Sequence, residues 1–456
     1  MEKHKENSVF KISDEFVEMI ESLIEQHDDR KIINLLKDYH YADIAEILDE
    51  MDLEQAIYII KLLDSEQTSD VLTEMDEDSR EKILENLSAK EIAEEIEELD
   101  TDDAADIIAE LPAERQQTVI SQIEDEEHKA EIKELLGYDE NSAGGLMAKE
   151  LVKVYATWTV AGCLRKIRAQ AKDVTRVHSI YVVDKKERLI GRLSLKDLIT
   201  AKNEQKIADI YISNVDYVYV DEEGEEVAKI MQKYDLEAIP VVDKNQTLLG
   251  RITIDDIVDV IKEEAEKDYQ LAAGISQDVE ADDNIWDLTK ARLPWLVLGL
   301  FGGLCSVFIM EGFEDALKSY KELFFFTPLI AAMAGNVGVQ SSAIIVQGLA
   351  NDVVKGSIIS RLLKEVGLSL INGVILGLLV IVFGQITNLA FNFSFTIAIS
   401  MLCVIIVAAL IGTFVPIVLD KRGIDPAIAT GPFITTSNDI FGIFLFFYIA
   451  KIILGF

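Results

Sequence analysis

LPWLVLGLFGGLCSVFIM, residues 293–310, runs eighteen residues without a charge and divides the chain into two parts of opposite character. A run of that length and apolarity reads as a membrane-crossing helix. Four more follow, at about 324–346, 366–387, 395–419 and 427–453. Nothing comparable precedes residue 293, so no cleavable leader is expected. The 456-residue chain carries 81 Asp and Glu against 43 Lys and Arg, a net charge of −38. Ten acids and ten bases fall in residues 286–456, which leaves 71 acids against 33 bases, and the whole surplus, in residues 1–285. Such a polyanion repels phosphate backbones, which excludes nucleic acid as a partner. A neutral apolar part joined to a polyanionic one also excludes a simple cytosolic enzyme. Three scattered cysteines (Cys163, Cys305, Cys403) exclude a disulfide framework. The histidines all precede the apolar region and form no cluster with cysteine, so a hard, oxygen-liking metal ion is expected if any.

The charges flanking the apolar runs set their orientation. Lys290 and Arg292 precede the first, Lys355, Arg361 and Lys364 lie between the second and third, and Lys421 and Arg422 between the fourth and fifth. The loop between the third and fourth is uncharged, and Lys318 and Lys321 are offset by Glu311, Glu314, Asp315 and Glu322. The positive-inside rule then places the soluble part in the cytoplasm, at the inner cell membrane, and the C-terminus outside. Five spans make a thin pore wall, so a homodimer is expected. Asp439 stands in the middle of the last span, where a carboxylate costs several kcal/mol, by order of magnitude, unless it meets water, a partner or an ion. Thr435 and Thr436, four and three residues earlier, are expected on its helix face. Asn336 and Gln340 are spaced four apart in GNVGVQ (335–340), where Gly335 and Gly338 permit close helix approach. These groups read as a polar, pore-lining track suited to hydrated Mg²⁺, which often binds through one or two carboxylates. Amide contacts between helices would explain Asn336 and Gln340 equally.

Two repeats organise the soluble part. Asp52, Asp64, Asp76, Ser88, Asp100 and Pro112 recur every 12 residues, followed eight residues later by Ile60, Leu72, Leu84, Ile96, Ile108 and Ile120. Asp, Ser and Pro are helix-start residues, so each unit reads as one short capped helix of an α-solenoid. Further on, IYVVDKKERLIGRLSLKDLI (180–199) matches IPVVDKNQTLLGRITIDDIV (239–258) at 9 of 20 positions with an offset of 59. Each copy reads as strand, turn, a second strand opened by Gly191 or Gly250, then helix. The second copy is expected to run into an acidic helix from Thr253 to about Asp283, striped by Asp256, Asp259 and Glu263, and by Glu264 and Asp268. A charge run of this kind is commonly a solvated face.

The repeated pattern resembles tandem CBS domains. That resemblance implies that Ser194 and Asp197, and Thr253 and Asp256, meet the phosphate and ribose of ATP. The same S/T-x-x-D spacing also caps a helix without a ligand, and Ser179 and Leu236 stand where aromatic stacking partners would be expected.

With SAGGLM (142–147), PWL (294–296), GFE (312–314), GNVGVQ (335–340) and DPAIATGPFITTSND (425–439) in this order, the chain resembles MgtE-type magnesium channels and transporters. The fold implied is a multidomain membrane protein. It comprises an acidic α-solenoid (1–137), α+β tandem CBS domains (138–203 and 204–262), a linking plug helix (263–290) and an all-α five-helix transmembrane pore domain (291–456). The resemblance implies a homodimer in the lipid bilayer with Asp439 as the intramembrane Mg²⁺ site and Asp425 at the cytoplasmic pore mouth. It further implies regulatory Mg²⁺ bound by Asp70, Asp102, Asp106, Glu223, Glu225, Asp235, Asp256, Asp259, Glu264 and Asp268. Lys267 stands where the resemblance implies an acid, and Val339 where some members have Asn. The function expected is Mg²⁺ transport closed by cytosolic Mg²⁺. The alternatives are a membrane-anchored nucleotide or metal sensor that conducts nothing, and transport of Mn²⁺, Co²⁺ or Ca²⁺. No nucleophile–base pairing or phosphate-cradling glycine loop suggests an enzyme.

Overall fold

A computed structural model of the chain describes residues 12–171, 176–281, 283–351, 353–354 and 356–455. Lys355, one of the bases that orient the spans, lies outside the described residues. The chain divides into two compact units, Met1–Ile261 and Lys262–Phe456.

The first unit begins with ten helices: α1 (Asp14–Glu25), α2 (Asp29–Leu36), α3 (Tyr41–Asp49), α4 (Leu53–Ile60), α5 (Ser65–Glu74), α6 (Glu77–Asn86), α7 (Ala89–Ile96), α8 (Thr101–Glu110), α9 (Ala113–Gln122) and α10 (Glu126–Leu135). The six residues of the 12-residue repeat are the N-caps of α4 to α9. Asp64 accepts from Gln67 N at 3.0 Å, Asp76 accepts from Asp78 N at 3.1 Å, and Ser88 forms a capping box with Glu91. Asp52 and Asp100 make no side-chain cap bond, which leaves the Asp100 carboxylate for other contacts. The apolar partners of each cap, from Ile60 to Ile120, are all buried. Helices pack on their second neighbours along the chain, α3 on α5, α5 on α7, α7 on α9, and α4 on α6, which gives two interleaved layers around one apolar seam. Arg80 of α6 is buried in that seam. Its Nε donates to both carboxylate oxygens of Glu110, at 3.1 and 3.0 Å, and Nη1 donates to the Leu72, Thr73 and Met75 carbonyls.

The CBS copies follow as β1 (Val152–Tyr155), α11 (Val160–Gln170), β2 (Ile180–Val183), β3 (Leu189–Leu193) and α12 (Leu195–Thr200), then β4 (Val218–Tyr219), α13 (Gly224–Tyr234), β5 (Ala238–Val242), β6 (Leu248–Thr253) and α14 (Ile254–Ala273). Each copy forms a three-stranded sheet, with the first two strands parallel and the last two antiparallel. Both sheets carry a bulge at the same place, between Val182 and Val183 and between Val241 and Val242. Gly191 and Gly250 lie inside β3 and β6 rather than opening them. A Cβ at Gly250 would stand 2.6 Å from the Ala148 carbonyl oxygen, so the strand needs glycine for backbone approach. The SAGGLM segment is tied to β4 and the turn after it, with Ala143 N donating to Glu222 O at 2.8 Å and Gly144 N to Val220 O at 3.0 Å. The acidic helix is shorter than the sequence suggests: α14 ends at Ala273, because Gly274 turns out of the helix with φ +82°.

The second unit holds α15 (Ile285–Gly312), α16 (Glu314–Ser319), α17 (Glu322–Ala350), α18 (Ile358–Ile386), α19 (Phe391–Asp420) and α20 (Gly431–Leu454). All but α16 are long and apolar enough to cross a membrane. The chain is therefore a multi-pass membrane protein. Helix α19 is the most buried span and packs on α17, α18 and α20. Glycines allow the closest crossings: a Cβ on Gly412 would stand 2.4 Å from the Gly338 carbonyl oxygen.

Replacing Arg80 by Ala leaves the half-buried Glu110 without its cation and three carbonyls without their donor. The solenoid should lose roughly 3–5 kcal/mol, read as a lower thermal midpoint and faster hydrogen exchange in α6 and α8. An unchanged midpoint would mean that the buried Arg80–Glu110 pair does not hold the solenoid together.

Candidate metal centres and ion path

In the first unit, a carboxylate cluster forms where the start of α8 meets the 148–150 segment and the end of β6. Asp100, Asp102 and Glu150 each offer an oxygen, and these oxygens lie within 4.8 Å of one another. Glu150 takes over the capping that Asp100 leaves undone. Its Oε2 accepts from Thr101 Oγ1 at 2.9 Å and from Thr101 N at 3.2 Å, across 49 residues of sequence. Lys149 N in turn donates to Thr101 Oγ1 at 2.8 Å. Buried Arg251 closes the cluster: Nε donates to the Glu150 carbonyl at 2.5 Å, and Nη2 lies 3.4 Å from Asp100 Oδ2.

Among the described residues, the acids here outnumber that cation, and their proton affinities record the excess. Burial, then the charge of Glu150, pushes Asp100 up to about 6, with Arg251 opposing. Burial and the charge of Asp256 push Asp103 up to about 7. Asp106 keeps an exposed edge, yet desolvation by the surrounding protein and the charges of Glu140 and Asp256 push it up to about 7 as well. Asp102 is 8 % exposed, and burial followed by the charge of Asp103 raises it well above the usual carboxylate range. Burial also raises Asp256, although Thr253 N and Oγ1 donate to its Oδ2 at 2.9 and 2.6 Å and oppose the shift. Octahedral Mg²⁺ holds neighbouring oxygens about 3 Å apart, so a cluster spread over 4.8 Å suits an ion that keeps part of its water shell.

The structure therefore brings Asp102, Asp106 and Asp256 into one field, and adds Asp100, which the sequence marks only as a helix start, with Asp103 and Glu150, which it does not single out. Asp70 belongs to a second group. Desolvation and Glu66 raise it against the pull of His40, while Glu74 is raised by desolvation and by Asp259. Glu223 caps α13 at one end, where Glu225 pairs with Lys229 at 2.9 Å, and Asp235 ends the same helix in a left-handed conformation, φ 50°. Eleven helical residues separate the two ends, a span of roughly 16 Å, so they do not share one ion within a chain. The two S/T-x-x-D motifs differ: Thr253 is bonded to Asp256, whereas Ser194 makes no side-chain cap bond to the helix that contains Asp197.

In the second unit, Asp439 is half-buried near the middle of α20. Gly335 of α17 leaves the opening opposite it, since a Cβ there would come within 3.9 Å of Asp439 Oδ1 and 3.7 Å of Thr435 Cγ2. Thr435 lines the same opening, with its hydroxyl bonded to the Gly431 and Pro432 carbonyls at 3.2 and 3.1 Å. Thr436 departs from the expected common face: its methyl packs against Gly302 of α15, because three residues of helix fall about 60° short of a full turn. Asn336 and Gln340 are exposed on α17. Asp425 caps the short 3-10 turn Pro426–Ala429 ahead of α20, accepting from Ala427 N at 2.8 Å. Glu264 pairs with Lys267 at 2.9 Å, and Asp268 is one turn beyond Glu264 on α14. Two polar residues escaped the sequence reading. Glu365 of α18 accepts from Ser341 Oγ at 2.6 Å. Asn438 is 1 % exposed, with neither amide atom bonded.

Comparison with known proteins bears on all three regions. Residues 327–449 match the MgtE family described as divalent cation transporters, residues 39–141 the MgtE intracellular N domain, and residues 143–204 and 207–263 the CBS domain. The chain is 38 % identical over 326 residues to the magnesium transporter MgtE of Enterococcus faecalis, covering 71 % of this chain and 72 % of that protein. It is 35 % identical over 336 residues to the magnesium transporter MgtE of Thermus thermophilus, covering 72 % and 73 %. Among solved structures, the cytosolic domain of the Mg²⁺ channel MgtE in complex with ATP aligns with a TM-score of 0.51 at 35 % identity, over 54 % of this chain and 99 % of that one.

The raised carboxylates of the first unit give a pH dependence of definite sign. A carboxyl held at about 6 to 7 in the fold and near 4 when unfolded contributes stability fully present below pH 4 and lost as pH rises through 7. Without divalent ions, the thermal midpoint of the soluble part should fall between about pH 5 and pH 8. Millimolar Mg²⁺ should restore it at about pH 8 and matter little at about pH 5, as protons and metal compete. Equal Mg²⁺ effects at the two pH values would count against the cluster as a cation site.

Proposed function

The chain belongs to the MgtE family of divalent-cation transporters, and from that premise we propose that it passes Mg²⁺ across the cell membrane and closes when cytosolic Mg²⁺ is plentiful. The observation that carries the transport reading is Asp439, a carboxylate in the middle of a spanning helix, opposite a glycine. A membrane anchor needs no such group, and its cost is tolerated where it meets water or an ion. Two chains pair so that α17 and α20 of each, with Asn336, Gln340 and Thr435, line one path between two Asp439 carboxylates. Exposure of Asn336 and Gln340 on a single chain supports this arrangement. Basic residues at 290, 292, 361, 364, 421 and 422 favour a cytoplasmic soluble part and an outer C-terminus. Relatives named as magnesium transporters support Mg²⁺ over Mn²⁺ or Co²⁺.

Closure follows from electrostatics. At an effective dielectric of about 20, two like charges 4 Å apart repel by about 4 kcal/mol before solvation. A divalent ion placed between them turns that repulsion into a bridge. Moving a gate from 1:99 to 99:1 takes about 5.5 kcal/mol of differential binding, which several weak sites supply together. Asp102, Asp106 and Asp256 form one such site with Asp100 and Glu150. Asp70 and Asp259, the acids of α13, and Glu264 and Asp268 of α14 supply others. ATP enters as a second, modulating ligand at the first CBS copy, where the Ser194 hydroxyl is not spent on capping.

In liposomes holding the full-length protein, Asp439→Ala should reduce Mg²⁺ influx at least tenfold with dimers intact. Flux insensitive to this change would move the ion path elsewhere. Neutralising Asp102, Asp106, Glu264 and Asp268 together should leave the low-Mg²⁺ flux in place and abolish its inhibition from the soluble side. Unchanged inhibition would refute the sensor assignment.

A further inference from the structure

Glu365 is an acid inside a spanning helix, and the path past Asp439 makes no use of it. It stands near the start of α18, one turn beyond Arg361. An acid flanking a span ordinarily turns to water, and one held inside a span is costly and rarely kept without a function. Glu365 is half-buried, and its Oε1 accepts from Ser341 Oγ of α17 at 2.6 Å. Ser341 is 5 % exposed, so the bond is made within the helix bundle. The place of Ser341 on α17 decides what this bond can do. Gly335, which faces Asp439 and Thr435, lies six residues earlier on the same helix, roughly 9 Å along the axis and about 120° around it. Gly338 lies between the two faces, against Asn438 and Ile434 of α20 and Gly412 of α19. Glu365 thus meets α17 on a face turned away from the opening and is no ligand for an ion there. Small residues fix how closely helices approach, whereas a hydrogen bond is directional and also fixes their rotation. At the glycine crossing Asn438 adds no such bond, since its amide is unbonded.

We infer that Glu365 is a positioning residue for transport, which sets the rotation of α17 through its bond to Ser341. That rotation places Gly335 opposite Asp439 and keeps Asn336 and Gln340 on the exposed side of the helix. It also gives α18, which packs mainly on α19, a part in shaping a path it does not line. This inference rests on the proposal that Mg²⁺ passes Asp439, and it adds the group that holds the opposite wall in register.

The test compares the full-length wild type with Glu365→Ala, Glu365→Gln and Ser341→Ala in liposomes, measuring Mg²⁺ and Mn²⁺ influx side by side. Glu365→Ala should lower the ratio of Mg²⁺ to Mn²⁺ flux roughly threefold to tenfold, the size expected when one hydrogen bond is lost. A mere loss of folded protein lowers both fluxes together and leaves the ratio alone. Glu365→Gln, whose amide oxygen still accepts from Ser341, should keep the wild-type ratio. Ser341→Ala should match Glu365→Ala, and the two combined should go no further, because they remove the same bond. Ser341→Ala also carries the test if Glu365→Ala does not assemble. A second measurement follows α17 without reference to transport. In a background of Cys163→Ala, Cys305→Ala and Cys403→Ala, the rate at which Asn336→Cys reacts with a water-soluble thiol reagent should change roughly threefold or more on Glu365→Ala. If the wild type carries no Mg²⁺, the transport proposal fails, while the thiol rate still reports on Glu365. If transport is normal and neither alanine variant moves the flux ratio or the thiol rate, Glu365 is an ordinary flanking acid and the inference is overturned. A ratio lost equally in Glu365→Gln would overturn it too, since the charge and not the bond would then be the cause.

Discussion

Repulsion among carboxylates is the constraint around which the soluble part is built. Residues 1–285 carry 71 acids against 33 bases, and a surface of that charge opposes its own compaction. The fold answers at each place with a local device. Acids at helix starts are turned to capping, as at Asp64, Asp76 and Glu91, where the helix dipole favours negative charge. The Glu110 carboxylate inside the solenoid receives a dedicated arginine, Arg80. At the α8 cluster neither device suffices, because Arg251, beside Asp100 and Asp256, and Arg80, acting on Asp106, are outnumbered among the described residues by Asp100, Asp102, Asp103, Asp106, Asp256 and Glu150. What remains there is bound protons or a divalent cation, and that is the physical basis for reading the cluster as a sensor.

The membrane part meets a different constraint with different means. Helices that pack in lipid gain little from burying apolar surface, so small residues and a few polar contacts decide where they cross. Gly338 serves three partners at once: its carbonyl meets Gly412 of α19, and its missing side chain admits Asn438 and Ile434 of α20. Asn438 occupies that gap with its amide unbonded, at a cost of about 1–3 kcal/mol. The Ser341–Glu365 bond ties α17 to α18, which otherwise touches mainly α19. Gly338 and Gly412, where α17 crosses α20 and α19, thus cannot gain volume, whereas a Cβ at Gly335 would only come into contact with Asp439 and Thr435.

Local chemistry is legible in the sequence and long-range chemistry is not. The helix starts of α4 to α9 can be read directly, because a starting residue acts within the first turn, as the caps Asp64, Asp76 and Ser88 do. Asp439 is legible for a similar reason, as an acid isolated in an apolar run. Glu150 is not, since its partner Thr101 is 49 residues away and nothing near it marks a site. Arg251 sits inside the repeated GR dipeptide and reads as part of the CBS pattern, while its side chain faces Asp100. Glu365 stands one residue ahead of the third apolar run and so reads as a flanking charge, whereas α18 starts at Ile358 and carries it inside the helix. Thr436 lies off the Asp439 face because positions three and four residues apart are neighbours on a helix without being equivalent ones.

Neither of the two proposed kinds of site gains from tight binding, and each avoids it by a different construction. A sensor has to respond near the concentration already present in the cell, so it gains nothing from tight binding. In the proposed sensor, carboxylates spread over 4.8 Å and shared with an arginine would hold an ion weakly and through its waters. Steepness then comes from using several such groups, since each adds a small increment to the same equilibrium. A transport path has to release what it binds. A single half-buried carboxylate per chain, with threonine and amide groups nearby, satisfies that requirement without a deep well. Adding a second acid beside Asp439 would strengthen binding and slow departure. The scarcity of charge in the spans and its surplus outside them are therefore two answers to one question: how strongly each part of the protein should hold the same ion.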